Sequence, residues 1–234
     1  MSYEEIEQHL LSLADQDIAD HSRRFFKTAP GEYGYGDKFL GIRVPAIRQA
    51  VKKFKDTPLE VTIRLLKSEY HEIRLFALLL LVAQFSKAGA SNRKKIYDIY
   101  LANTRYINNW DLVDSSAHYI VGVYLEKKDR SVLYKLSRSD SLWQRRIAII
   151  ATFHFIGEGQ FDDTLYISEQ LLDDQEDLIH KAVGWMLREV GKRAKSVEIA
   201  FLNEHYRAMP RTMLRYAIER FSHEERQNYL RGLL

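Results

Sequence analysis

The chain has 234 residues, of which 46% are hydrophobic and 29% charged, with a net charge of +3. This is the composition of a soluble globular protein with enough chain for a sizeable core. With no cysteine, it can form no disulfide, thiolate zinc site, iron–sulfur cluster or thiol nucleophile.

The N-terminal stretch MSYEEIEQHL is acidic and amphipathic, unlike a secretory or transit signal, so the expected location is cytoplasmic. The longest apolar run, LFALLLLVA at 75–83, is too short to span a bilayer and reads as a buried helix. Helix signals fill the chain in order. The expected helices are 3–14, 16–28, 45–55, 58–67, 71–87, 91–104, 109–126, 130–137, 141–157, 162–172, 175–191, 195–206, 210–221 and 223–233. Pro45 and Pro58 stand at first-turn positions. Thr57, Ser91, Asn108, Asp140 and Asp174 are the expected N-caps, with Asp177 completing a box-like position. The one conspicuous loop is GEYGYG at 31–36.

Long helical segments recur every 32 to 39 residues or so, each preceded by a shorter one. Two helices per repeat of this length predict an all-α fold, an α-solenoid of HEAT-like pairs. It is expected to be curved, with a concave binding face, and to form a single domain over 1–234. Asp114, Arg146, Lys181 and Arg215 fall at corresponding places in successive long helices, spaced 32, 35 and 34 apart. They are expected to share one wall, with the acidic 162–172 helix in the outer layer. All three tryptophans, Trp110, Trp143 and Trp185, lie within a turn of this ladder.

A row of cations one repeat apart suits a charged polymer, and neighbouring helices about 10 Å apart match a step of a few phosphates. An acidic peptide or a helical partner protein would suit it equally. The carboxylate of Asp114 breaks the tie. An anion in a phosphate-binding wall costs on the order of 1 kcal/mol or more, so it belongs there only if positive charge arises opposite it.

Four segments carry a resemblance. WDLVDS at 110–115, LWQRRIAI at 142–149, KAVGWMLRE at 181–189 and LGIRVPAIR at 40–48 resemble, in order and spacing, the motifs of the AlkD family. Its members are bacterial DNA alkylation-repair glycosylases built of HEAT-like repeats. The likeness runs from about residue 20 to about 220.

The resemblance implies excision of positively charged N3- or N7-alkylated purines from duplex DNA, such as 3-methyladenine and 7-methylguanine. It implies Trp110 and Asp114 as catalytic residues, Arg146 as a phosphate contact and Trp185 as an aromatic of the sugar site. Lys181 and Arg215 are expected to bind DNA. Where the family has a tyrosine in an early helix, this chain has Phe25, and Tyr33 or Tyr35 of the glycine-rich loop is a candidate replacement for the lost hydroxyl. Arg145 adjoins Arg146, and a one-residue slip would exchange them.

No cofactor, metal or lysine nucleophile is expected, and the resemblance implies action without the base extrusion of most glycosylases. The expected protein is a monomer acting on double-stranded DNA with no membrane partner. The alternative is a HEAT-repeat module that holds DNA or protein without chemistry. Three other signals read as structural. HEIRL at 71–75 lacks the second histidine of a zincin helix, His118 reads as a capping or surface residue, and KKFK at 52–55 as a solvated helix end.

Overall fold

A computed structural model describes residues 1–233. The described chain is helical throughout, and its one β feature is an isolated bridge between Lys38 and Tyr70. No described helix is long and apolar enough to cross a membrane. The chain divides into two compact units, Met1–Ser116 and Ala117–Leu234.

In the first unit the organising element is the His71–Lys87 helix. Its residues from His71 to Leu81 are all buried. That explains the all-round apolar run, because a helix enclosed on every side needs no polar face. Around it pack the helices Val44–Lys53, Leu59–Leu66, Ala90–Ala102 and Trp110–Asp114. Helices Tyr3–Leu11 and Gln16–Phe25 complete the unit.

The second unit repeats a simpler rule. The segment His118–Leu125 packs on Leu142–Gly157, which packs on Asp177–Gly191, which packs on Arg211–Ala217. The shorter helices Ser131–Leu136, Asp162–Gln170 and Lys195–His205 pack on these long ones. This is the helix-pair stacking of an α-solenoid.

Two glycines set the spacing of that row. A Cβ on Gly122 would lie 2.4 Å from the Ala151 carbonyl oxygen, and one on Gly184 would lie 2.4 Å from that of Met213. Any side chain at either position would force neighbouring long helices apart.

The expected 109–126 helix is interrupted. An α-helix runs Trp110–Asp114, a turn follows at Ser115–Ser116, and a π-helical turn occupies His118–Gly122 before Val123–Leu125. The Ser116 amide bonds Val113 O, three residues back, and its hydroxyl donates to Leu112 O at 2.5 Å. Such back-bonding by serine competes with the helical ladder.

The caps shift as well. Thr57 does not cap; its hydroxyl donates to Phe54 O at 2.6 Å, and Pro58 takes the N-cap position. Gly89, Asn109, Ser141 and Glu176 hold the N-cap positions expected of Ser91, Asn108, Asp140 and Asp174. Asp174 instead accepts from the Glu176 amide at 2.9 Å, an Asx turn that leads into the helix.

Candidate active site

In the first unit, the Trp110–Asp114 helix carries Trp110 at its first position and Asp114 at its last, one turn apart. Both residues are half-buried. Asn109, fully buried, opens the helix by accepting the Trp110 amide at 2.8 Å. The indole is held by rings. Phe26 stacks on it with centroids 5.5 Å apart at 25°, and Phe25 meets it edge-on at 6.1 Å. Each such aromatic pair adds roughly 0.5–1.5 kcal/mol beyond its buried area. Phe25 is itself 57% exposed, so it is an apolar ring standing in solvent beside the tryptophan.

Behind Phe26 lies a buried ionic chain. His71 Nδ1 is 2.9 Å from Asp37 Oδ2, and His71 Nε2 is 2.8 Å from Asp111 Oδ2. Arg74 donates to the other oxygen of Asp37 and to the carbonyls of Ser68 and Glu69. Burial alone would push the imidazole down. The carboxylates of Asp111 and Asp37 more than offset that and hold it up at about 9. Burial likewise pushes Asp37 up, and His71 and Arg74 overcome it, holding its carboxyl below the usual range.

Next to His71, Glu72 turns its carboxylate to the amides of Leu40, Gly41 and Ile42 at 2.9, 2.8 and 3.3 Å. Gly41 has φ +78°, and a Cβ there would lie 2.0 Å from Asp15 O, so only glycine fits. LGIRVPAIR and HEIRL, separate in sequence, are therefore two halves of one joint.

Of the two aspartates in WDLVD, Asp111 is bound to His71. Asp114 lies within electrostatic reach of the buried Tyr100 phenol. Burial pushes that phenol up and the Asp114 charge adds to it, against the lowering effect of the Ser116 hydroxyl at 3.0 Å.

In the second unit, Trp185 sits mid-helix in Asp177–Gly191, half-buried. Its indole N–H donates to Glu189 Oε1 at 3.2 Å, and its ring lies 5.9 Å from Phe153 at 41°. Lys192 reaches the same Glu189 oxygen at 2.6 Å, with Arg193 at 3.5 Å from the other. Burial favours protonated Glu189. Lys192, the indole N–H and Arg188 outweigh it and hold the carboxyl below its usual value.

The ladder residues differ in setting. Arg146 is buried and donates to the Leu178 carbonyl in the first turn of the next long helix. Arg145 pairs with Asp174 through Nε at 2.6 Å and also donates to the carbonyls of Ser139 and Asp140. Lys181 pairs with Asp177 at 2.7 Å, and Arg215 is exposed. Equal spacing in sequence gives unequal access. The acidic helix Asp162–Gln170 buries Asp163 against Arg130 at 2.5 Å and Tyr134 at 2.6 Å.

His71, Asp37 and Arg74 are the residues that motif reasoning passes over. His71 and Arg74 are signalled only as polar residues at the head of a largely apolar helix, and Asp37, in the loop after GEYGYG, has no such signal.

A solved structure described as "Predicted DNA alkylation repair enzyme from Enterococcus faecalis" superposes with a TM-score of 0.68, covering 90% of this chain and 97% of that one. The identity is 16%, so the likeness is one of fold. None of the curated proteins matches the sequence. The family model of the DNA alkylation repair enzymes matches residues 6–221, nearly the whole chain and every residue of both tryptophan settings, and the chain belongs to that family.

Proposed function

We propose that the protein is a monofunctional DNA glycosylase. It removes positively charged N3- and N7-alkylated purines from duplex DNA by hydrolysing the N-glycosidic bond, as a monomer and without a cofactor, metal or lysine nucleophile. The observation that carries this reading is the division of labour within WDLVD. Asp111 is tied to a buried histidine, while Asp114 stands one turn from Trp110 at the other end of the same short helix.

An alkylated purine of this kind already carries positive charge, so it leaves with the bonding electrons as a neutral base and needs no strong acid. Positive charge then builds on the deoxyribose, as in glycoside hydrolysis. Asp114 stabilises that charge and orients the water that attacks C1′. Trp110 offers an electron-rich face to the sugar, and Phe25 extends that wall without a hydroxyl. Trp185 is assigned to the sugar and Arg146 to a phosphate on the family resemblance. Lys181 and Arg215 supply phosphate contacts from the second unit.

The test is base release from duplexes containing 7-methylguanine, 3-methyladenine or uracil, by the wild type and Asp114→Asn. The wild type should release the two methylated bases and leave uracil in place. Asp114→Asn should still bind DNA, or bind it tighter, while excision falls by on the order of a hundredfold or more, the scale of one lost transition-state contact. An Asp114→Asn protein as active as the wild type, or equal release of uracil, would overturn the mechanism. Binding with no release of any base would favour a non-catalytic DNA-binding module.

A further inference from the structure

We propose that His71 is a positioning residue for base excision. It holds Asp111, and with it the first turn of the Trp110–Asp114 helix, through an imidazolium that bridges two carboxylates. The proposal rests on the glycosylase reading above.

Between two ionised carboxylates the geometry requires the charge. Both ring nitrogens lie within 2.9 Å of a carboxylate oxygen. Ionised carboxylates only accept, and a neutral imidazole has a single N–H to give. Arg74 on the second oxygen of Asp37 keeps that carboxylate ionised. The buried groups therefore alternate in sign: Arg74, Asp37, His71, Asp111. In this setting removing one member strands its neighbour, which is far more costly than the pair is stabilising.

The charged groups of this order come from three segments. The segment before Phe39 supplies Asp37, and Trp110–Asp114 supplies Asp111. Arg74 comes from the helix of His71 itself, and Glu72 is turned away toward the Leu40–Ile42 amides. Lys38 is at the surface and pairs with Glu69 at 2.6 Å. The Val44–Lys53 and Leu59–Leu66 helices bury only Ile47, Ala50, Val51, Thr62, Leu65 and Leu66. Two links then run from His71 to Trp110. One is ionic, through Asp111, the next residue in the chain. The other is aromatic: Phe26 lies 4.9 Å from the His71 ring and 5.5 Å from Trp110. Phe39 also lies against the imidazole at 4.6 Å and stacks on Phe26 at 5.1 Å.

The arrangement does two things for excision. It fixes the platform on which the sugar rests. It also balances the Asp111 charge within the buried chain, three residues from Asp114.

The experiment compares wild type, His71→Gln, Asp111→Asn and the double variant in single-turnover release of 7-methylguanine, alongside the ring-nitrogen NMR spectrum of His71 in the wild-type chain. His71→Gln should slow release by on the order of tenfold or more, the scale of a slightly misplaced reacting group. Adding Asp111→Asn should recover a substantial part of the rate, because a neutral Gln–Asn pair restores a hydrogen bond and strands no charge. A residue that served only as packing would not be rescued by a second buried change. The spectrum should show both ring nitrogens protonated at neutral pH and titrating near 9. A ring nitrogen without its proton at neutral pH, full activity of His71→Gln, or a double variant no faster than His71→Gln would each overturn the proposal. If the wild type releases no base at all, the glycosylase reading falls first and this role falls with it. Wild-type release without the variant pattern overturns this role alone.

Discussion

Trp110 in the first unit and Trp185 in the second are both half-buried rings beside a carboxylate that carries a counter-cation, and they differ in where that cation sits. The partner of Asp111 is His71, 2% exposed and enclosed by Phe26 and Phe39. The partners of Glu189 include Lys192 and Arg193, with side chains 40% and 37% exposed. Solvent and salt screen the second pair of contacts and barely reach the first. The first setting is therefore rigid and sensitive to pH. The second is adjustable and sensitive to ionic strength. In the proposed mechanism the rigid setting suits the ring that must hold the sugar in one orientation through bond cleavage, and the adjustable one suits a second, less constrained sugar contact.

The largest effect should separate the rings themselves. Trp110→Ala should lower excision of 7-methylguanine by about a hundredfold and weaken duplex binding too, since in the proposed mechanism the ring positions the sugar in both ground and transition states. Trp185→Ala should cost about tenfold, the size of one lost stacking contact. Single-turnover rates and anisotropy titrations give both numbers. A larger loss from Trp185→Ala would reverse the assignment of the rigid platform.

Stability should show the same contrast. The folded pKa of His71 is raised from 6.5 to about 9. Its contribution is thus fully present below the unfolded value and is lost as pH rises through the folded one. The shift corresponds to about 3 kcal/mol. Urea unfolding of the wild type should weaken between pH 6.5 and pH 9 in the transition that reports the first unit, the two units being followed by separate probes. His71→Gln should flatten that dependence. A wild type equally stable at both ends would show that the bridge holds no charge.

The sequence made the helices legible because their apolar periodicity is local, and the structure moves most boundaries by only a few residues. Its failures share one physical cause. The break after Asp114 depends on a Ser116 hydroxyl choosing the Leu112 carbonyl, a choice that hydrophobic periodicity does not register. His71 looks like a failed zincin motif because its partners lie 34 and 40 positions away. The charge ladder rests on spacing alone, and in the structure Arg146 is buried where the next helix begins, whereas Arg215 reaches solvent. Periodicity reports the register of a side chain and leaves its depth to tertiary packing. Trp110 and Asp114 were legible as a pair because one turn joins them. What distinguishes Asp114 from Asp111 was not, because the distinction is made by a histidine in another helix.

Depth also ranks the cations. Arg215→Glu should weaken binding to all duplexes alike by roughly fivefold and reduce the salt slope by about 1. Lys181→Glu should do less, because in the free protein Lys181 already pairs with Asp177 at 2.7 Å, and DNA must displace that partner. Titrations over a range of salt decide between them. Equal losses would mean that the Asp177 pair is not maintained in solution.

The smallest effect is the most direct comparison of the two carboxylates. In Glu189→Gln the amide oxygen still accepts the Trp185 N–H, so the ring keeps its hydrogen bond and only the charge goes. Lys192 and Arg193 lose an anionic partner and gain freedom to meet phosphate. Duplex affinity should then rise by about twofold at low salt and return to the wild-type value as salt is added, because the Lys192 and Arg193 ends of these pairs reach solvent and are screened. Asp111→Asn should behave differently. It removes the anion that a buried imidazolium is built around, and the resulting loss of stability should be the same at low and high salt, since the His71 end of the pair is buried. Anisotropy for the first variant and unfolding for the second, each at two ionic strengths, measure the contrast. A salt-dependent Asp111→Asn, or a Glu189→Gln effect that salt leaves untouched, would mean that the two tryptophans are held by the same means.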